Sequence, residues 1–154
     1  MTRRLVALAT VAAAAALTLT GCTKPNPGVS VVSGTNSAQE EALCWAWDNA
    51  AIDPKTCAGD VLAKAVDAGK IPTVAVAPGD TIGISVDPVV AEAGWVPLLG
   101  TTEIAPGPIH TNYLRFTVPS LADLGASPKR LAVVALSGQQ LRGAWAFDIV
   151  PAAA

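Results

Sequence analysis

Thr81-Ile82-Gly83-Ile84-Ser85-Val86-Asp87 alternates without a break. Ile82, Ile84 and Val86 point to one side, and Thr81, Gly83, Ser85 and Asp87 to the other. Period two of this kind marks a strand in a sheet with one buried and one wet face. Thr73-Val74-Ala75-Val76 precedes it across the turn Pro78-Gly79-Asp80. Downstream, Tyr113-Leu114-Arg115-Phe116-Thr117-Val118 alternates again, with Leu114, Phe116 and Val118 inward. Gly94-Trp95-Val96-Pro97-Leu98-Leu99-Gly100 is a short strand that Pro97 places at an edge or a bulge.

Leu131 to Leu136 is apolar at every position, as expected of a central strand covered on both faces. Gly138 turns the chain, and Trp145, Phe147 and Ile149 form the buried side of a last strand, Ala144 to Val150. On the N-terminal side, Val29 to Ser33 reads as a first strand and Gly34-Thr35-Asn36-Ser37 as a turn. Leu43 to Trp47 reads as an extended segment with Trp45 and Trp47 on one face. One helix is expected near residues 59–68: Asp60 leads it, Val61, Leu62, Ala65 and Val66 share a face, and Gly69 ends it. Asp60 and Lys64 are spaced for an i,i+4 pair.

Many short strands with turns between them and one early helix predict an all-β fold, an antiparallel β-sandwich of immunoglobulin-like architecture over residues 29–154. Val76, Ile82, Ile84, Val86, Leu114, Phe116, Val133, Trp145 and Phe147 are the expected core. Cys44 and Cys57 are too close in sequence to be the inter-sheet bridge of an antibody domain, so the likeness is one of architecture.

Ahead of this domain, Arg3 and Arg4 begin a segment whose Leu5 to Leu19 run is apolar. At about 15 residues it is shorter than the roughly 20 that span a bilayer, and it has the parts of a secretory signal. It closes on Leu19-Thr20-Gly21-Cys22, which looks like a lipobox. Residues 1–21 are then a signal peptide, and Cys22 is the expected lipid attachment point and membrane anchor. Residues 22–28, with Pro25 and Pro27, read as a stiff linker that holds the domain off the membrane.

Loss of Arg3 and Arg4 from ten Lys/Arg leaves eight against twelve Asp/Glu, a net charge of −4. That argues against nucleic acid as a partner, because phosphate binding needs clustered Lys and Arg. Of three cysteines, Cys22 is assigned to lipid, which leaves Cys44 and Cys57 as an expected disulfide in an oxidising envelope. A zinc site lacks ligands, since the chain has one histidine and no Cys-x-x-Cys.

Three stretches, taken with the lipobox and the cysteine pair, carry a resemblance: Val74 to Thr81, Val86 to Trp95, and Gly143 to Phe147. Their order is similar to a family of small actinobacterial lipoproteins catalogued as a domain of unknown function. The resemblance implies an envelope lipoprotein, and it brings no catalytic residues. The Pro78-Gly79-Asp80-Thr81 strand start is also similar to that of cupredoxins, but a blue-copper site needs two His and a Cys, commonly with a Met. Here His110 is the one histidine and Met1 the one methionine. No cofactor and no metal are expected.

His110 could serve a serine as base with Asp87 or Asp123 as orienter, but no Gly-x-Ser-x-Gly elbow is present. Asp48, Asp53, Asp80, Asp87 and Glu92 lie near turns without the Asp-x-Asp-x-Asp spacing of a calcium loop. The expectation is a non-catalytic binding module on the outer face of the cell membrane. Its contact surface would be Trp95, Pro97, Leu98, Leu99 and His110, and its partner an envelope protein, a glycan or an apolar small molecule. The alternative is an extracytoplasmic hydrolase or other enzyme built around His110.

Overall fold

The computed structural model describes residues 24–77, 79–118 and 128–152. The expected signal peptide of residues 1–21, Cys22, Pro78 of the expected turn and Asp123 lie outside the described residues.

Among the described residues, ten strands form two sheets packed face to face. The first sheet has β1 (Gly28–Ser33), β2 (Asn36–Glu41), β5 (Thr81–Val86) and β8 (Tyr113–Thr117), in the order β2-β1-β5-β8. The second has β3 (Cys44–Trp45), β10 (Gln140–Pro151), β9 (Lys129–Ser137), β6 (Trp95–Leu99) and β7 (Thr102–Glu103), in that order, and β4 (Thr73–Val76) also pairs with β10. The pairings are antiparallel except β4 with β10, which is parallel. β3 and β4 share one side of β10: Gly143 and Ala144 face β3, and Asp148 to Pro151 face β4.

The alternation of Thr81 to Val86 is realised as expected, with Ile82, Ile84 and Val86 buried beside Val29 and Val31 of β1. Across the core lie Leu131, Val133 and Ala135 of β9, Trp145, Phe147 and Ile149 of β10, and Val74 and Val76 of β4. Leu114 and Phe116 point inward but are only half-buried, because β8 is the edge of its sheet and has a neighbour on one side only. β9 is central, yet its outer residues Ala132, Val134 and Leu136 are half-buried rather than enclosed.

The first helix departs from expectation. It starts at Pro54 with a π-helical stretch, Lys55–Val61, and continues as α1, Leu62–Asp67. Asp53 Oδ1 accepts the Lys55 N–H at 2.9 Å, so Asp53 leads the helix in place of Asp60. Cys57, Val61 and Ala65 turn inward at four-residue steps, and Val66 rotates out to 43 % exposure. No Asp60–Lys64 ion pair forms: among the described residues the one salt bridge is Arg130–Asp148, at 2.6 Å.

A second short helix, α2 (Pro88–Ala93), was not expected. Asp87 precedes it in extended conformation, Pro88 occupies its first turn, and Gly94 ends it at φ 92°, the Pro-in, Gly-out asymmetry of helix ends.

Cys44 and Cys57 are disulfide-bonded, with Cα atoms 5.9 Å apart. Cys44 lies opposite Ala144, whose side chain points away from the core, so the bridge carries the helical segment onto the outside of the second sheet. The segment is laced to β10 at both ends, by Ile52 N–H to the Leu141 carbonyl at 3.0 Å and Asp148 N–H to the Pro72 carbonyl at 2.8 Å. Cys57, Ala65 and Ala146 are buried there, apart from the main core.

Candidate binding surface

The Trp95 to Leu99 stretch is not a surface. Antiparallel pairing with β9 sets Trp95, Pro97 and Leu99 opposite Ala135, Val133 and Leu131, on the core side. Trp95 is 0 % exposed, and its indole N–H donates to the Thr111 carbonyl at 2.8 Å. Pro97 is buried and Leu98 and Leu99 are half-buried. The absent N–H of Pro97 costs little: it lies on the side of β6 away from β9, where its carbonyl accepts from Ile104 N–H at 3.0 Å. Trp95 and Pro97 therefore drop out as contact residues, because the alternation that builds the core includes them.

His110 is exposed but engaged. Its Nδ1 stands 3.2 Å from the Ala91 carbonyl, one of the last acceptors of α2, and donates to it. A Cβ on Gly94 would lie 2.8 Å from the ring's Cε1, so Gly94 is what lets the imidazole close over the helix end. Asp87, a proposed orienter, is turned elsewhere: its Oδ2 accepts the Gly28 N–H at 2.7 Å and fastens the start of β1. The other proposed orienter, Asp123, lies outside the described residues.

Three other aspartates near turns, Asp48, Asp53 and Asp80, also hold backbone. Asp48 accepts from Ala50 N–H at 3.1 Å, and Asp80 from Ala77 N–H at 3.2 Å. With Asp53 and Asp87 they act as side-chain acceptors for turn and strand N–H groups, the usual use of Asp at such positions. An open concavity of about 540 Å³ beside the β2 edge is lined by Gln39, Glu40 and Glu41. That lining is polar and acidic, unsuited to an apolar small molecule.

Two features went unread in the sequence. The first is on the outer face of the first sheet, where Val32, Gly83 and Arg115 lie side by side across β1, β5 and β8. A Cβ on Gly83 would meet the Tyr113 hydroxyl at 2.6 Å and the Val32 methyl at 3.0 Å. Tyr113 thus lies across the glycine towards Val32. Val32 is 40 % exposed and Tyr113 50 %, so the pair forms an apolar platform with Arg115 beside it. The alternation from Tyr113 to Thr117 already put Tyr113 and Arg115 outward, but nothing local in sequence joined them to Val32.

The second is an aromatic cluster at the β3 end. Trp45 stands 5.8 Å from both Trp47 and Trp145, ring centroid to ring centroid. Lys24 Nζ lies 3.5 Å above the Trp47 ring, and the Arg142 guanidinium 4.8 Å from that of Trp45. Trp145 donates to the Pro27 carbonyl at 3.0 Å, but the indole N–H groups of Trp45 and Trp47 are shielded without a partner among the described residues. An unpaired donor of that kind costs about 1–3 kcal/mol. Trp45 packs on the core next to the disulfide.

In chemical terms the described surface offers an aromatic platform, a capped helix end and a cation-covered tryptophan cluster. Compared with family models, curated proteins and solved structures, the chain has no match.

Proposed function

We propose that residues 22–154 are a lipid-anchored, non-catalytic binding module on the outer face of the cell membrane. The observation that carries this reading is the meeting of Val32 and Tyr113 over Gly83. They are two of the three large apolar side chains most exposed among the described residues, and they share one spot on a sheet face. Exposed apolar area of this kind, beside a charged group such as Arg115, is the composition of a protein or glycan contact surface. The placing of the Asp87 carboxylate on Gly28 N–H, with His110 on the Ala91 carbonyl instead, supports the non-catalytic reading. The lipobox-like Leu19 to Cys22 and the resemblance to small envelope lipoproteins support the location. Tethering raises the effective concentration of a surface module towards neighbours on the same membrane.

The test is a photo-crosslinking residue placed at position 113, at 32, or at the exposed control position 66, in intact cells. The expected result is one discrete adduct from positions 113 and 32, absent from 66 and lost with Arg115→Glu. Equal, diffuse labelling from all three positions contradicts the surface. Turnover of an ester or glycan substrate abolished by His110→Ala would favour the enzymatic alternative.

A further inference from the structure

The segment between the anchor and the domain reads as a spacer in sequence, but from Asn26 onward it is built into the sandwich. Asn26 donates to the Ala42 carbonyl at 3.2 Å. The Pro27 carbonyl accepts from both Ala42 N–H and the Trp145 indole, each at 3.0 Å. Gly28 already belongs to β1. Lys24 closes this docked segment by standing 3.5 Å over Trp47.

Only Thr23 separates Lys24 from Cys22. Two residues of fully extended chain reach about 7 Å at most. The polar layer on each side of a bilayer is itself about 5–8 Å thick. A Cys22 held by lipid therefore leaves Lys24, and the Trp47 ring beneath it, no distance to stand clear of the headgroups. Trp and Lys are the side chains that settle at this depth, the indole presenting an apolar body and a polar N–H, the lysine a cation for phosphate. Arg142 adds a second cation beside Trp45.

We propose that this end of the sandwich, Lys24 with Trp45, Trp47 and Arg142, rests on the headgroup layer of the bilayer that holds the anchor. The domain is then fixed in orientation rather than swinging on a free tether. The inference rests on Cys22 being the anchor point, and its test is built to separate the two.

Residues 22–154 contain every described element, and Cys22 is the one cysteine outside the disulfide. Its thiol can be coupled to maleimide-bearing phosphatidylethanolamine in vesicles of phosphatidylcholine and phosphatidylglycerol, which supplies a tether whether or not cells acylate it. The readout is quenching of tryptophan emission by a nitroxide on the lipid headgroup. Coupled protein should be quenched well beyond uncoupled protein mixed with the same vesicles. Of four tryptophans, two lie at this interface, so Trp47→Phe should lower the quenched fraction about 1.5-fold, from two indoles in four to one in three. Lys24→Glu, at an exposed position, should lower it in the anionic vesicles and keeps the test decisive if Trp47→Phe fails to fold. Quenching no greater than that of uncoupled protein overturns the proposal, as does quenching indifferent to both substitutions, which would mean another face meets the lipid. Failure of the anchor itself is read separately, as an unacylated Cys22 in cells.

Discussion

Trp145→Ala should destabilise the domain by about 3–5 kcal/mol, the range for removing a fully buried large aromatic. Trp145 is among the largest wholly buried side chains, and it does two jobs. Its ring fills the core between β10 and Trp45, and its N–H holds the Pro27 carbonyl at the start of β1. Alanine therefore opens a cavity and loosens the docked N-terminal segment together. Urea unfolding should show the lowered midpoint, and limited proteolysis should show new cleavage before Gly28. Trp145→Phe keeps most of the volume and loses one hydrogen bond, so it should cost distinctly less. An alanine variant within about 1 kcal/mol of wild type, the small end of mutational effects, would mean the cluster is not part of the cooperative core.

Replacing both Cys44 and Cys57 by alanine should cost about 2–4 kcal/mol, as expected for a short closed loop in the chain-entropy view. The double variant is preferable to a single one because it leaves no stray thiol to form disulfides between molecules. The bridge is the covalent link between the helical segment and the outside of the second sheet, where burial is thin: Cys57 and Ala65 are the buried positions on that segment. Reduction should thus release Pro54 to Asp67 first, with hydrogen exchange rising there before it rises in β9 and β10. Uniform exchange across the domain on reduction would contradict this order.

What the sequence revealed and what it hid follow from the strength of local patterns. The inner residues of β5 and β10 were legible because large apolar side chains recur there at period two, whereas β9 is apolar at every position from Leu131 to Leu136, a run that marks a strand but not which face turns inward. β2 was missed: Asn36-Ser37-Ala38-Gln39-Glu40-Glu41 is a polar edge strand with little apolar alternation, and it looks like loop. The π-helical start was hidden because Asp60 offered a competing cap, whereas Asp53-Pro54 carried the true signal. α2 had its Asp-Pro start and Gly end in plain view, but six residues are too few for a periodic stripe.

The contact surface fared differently. Trp95 and Pro97 look exposed only if their strand is taken alone, because burial there comes from pairing with β9 across more than thirty residues of chain. Tyr113 and Val32 meet only once β1, β5 and β8 are in register. The Cys44–Cys57 pair was readable by counting, and the helix-end role of His110 was not, since its partner carbonyl has no side-chain signature.

The proposed anchor is the claim on which location and membrane contact both depend. Mass spectrometry of protein extracted from the membrane fraction tests it most directly. The account predicts a mature chain that begins at Cys22 and carries diacylglyceryl on its sulfur, with Cys22→Ala shifting the protein out of the membrane. A mature chain that begins elsewhere, bears no lipid and is released to the medium would contradict it.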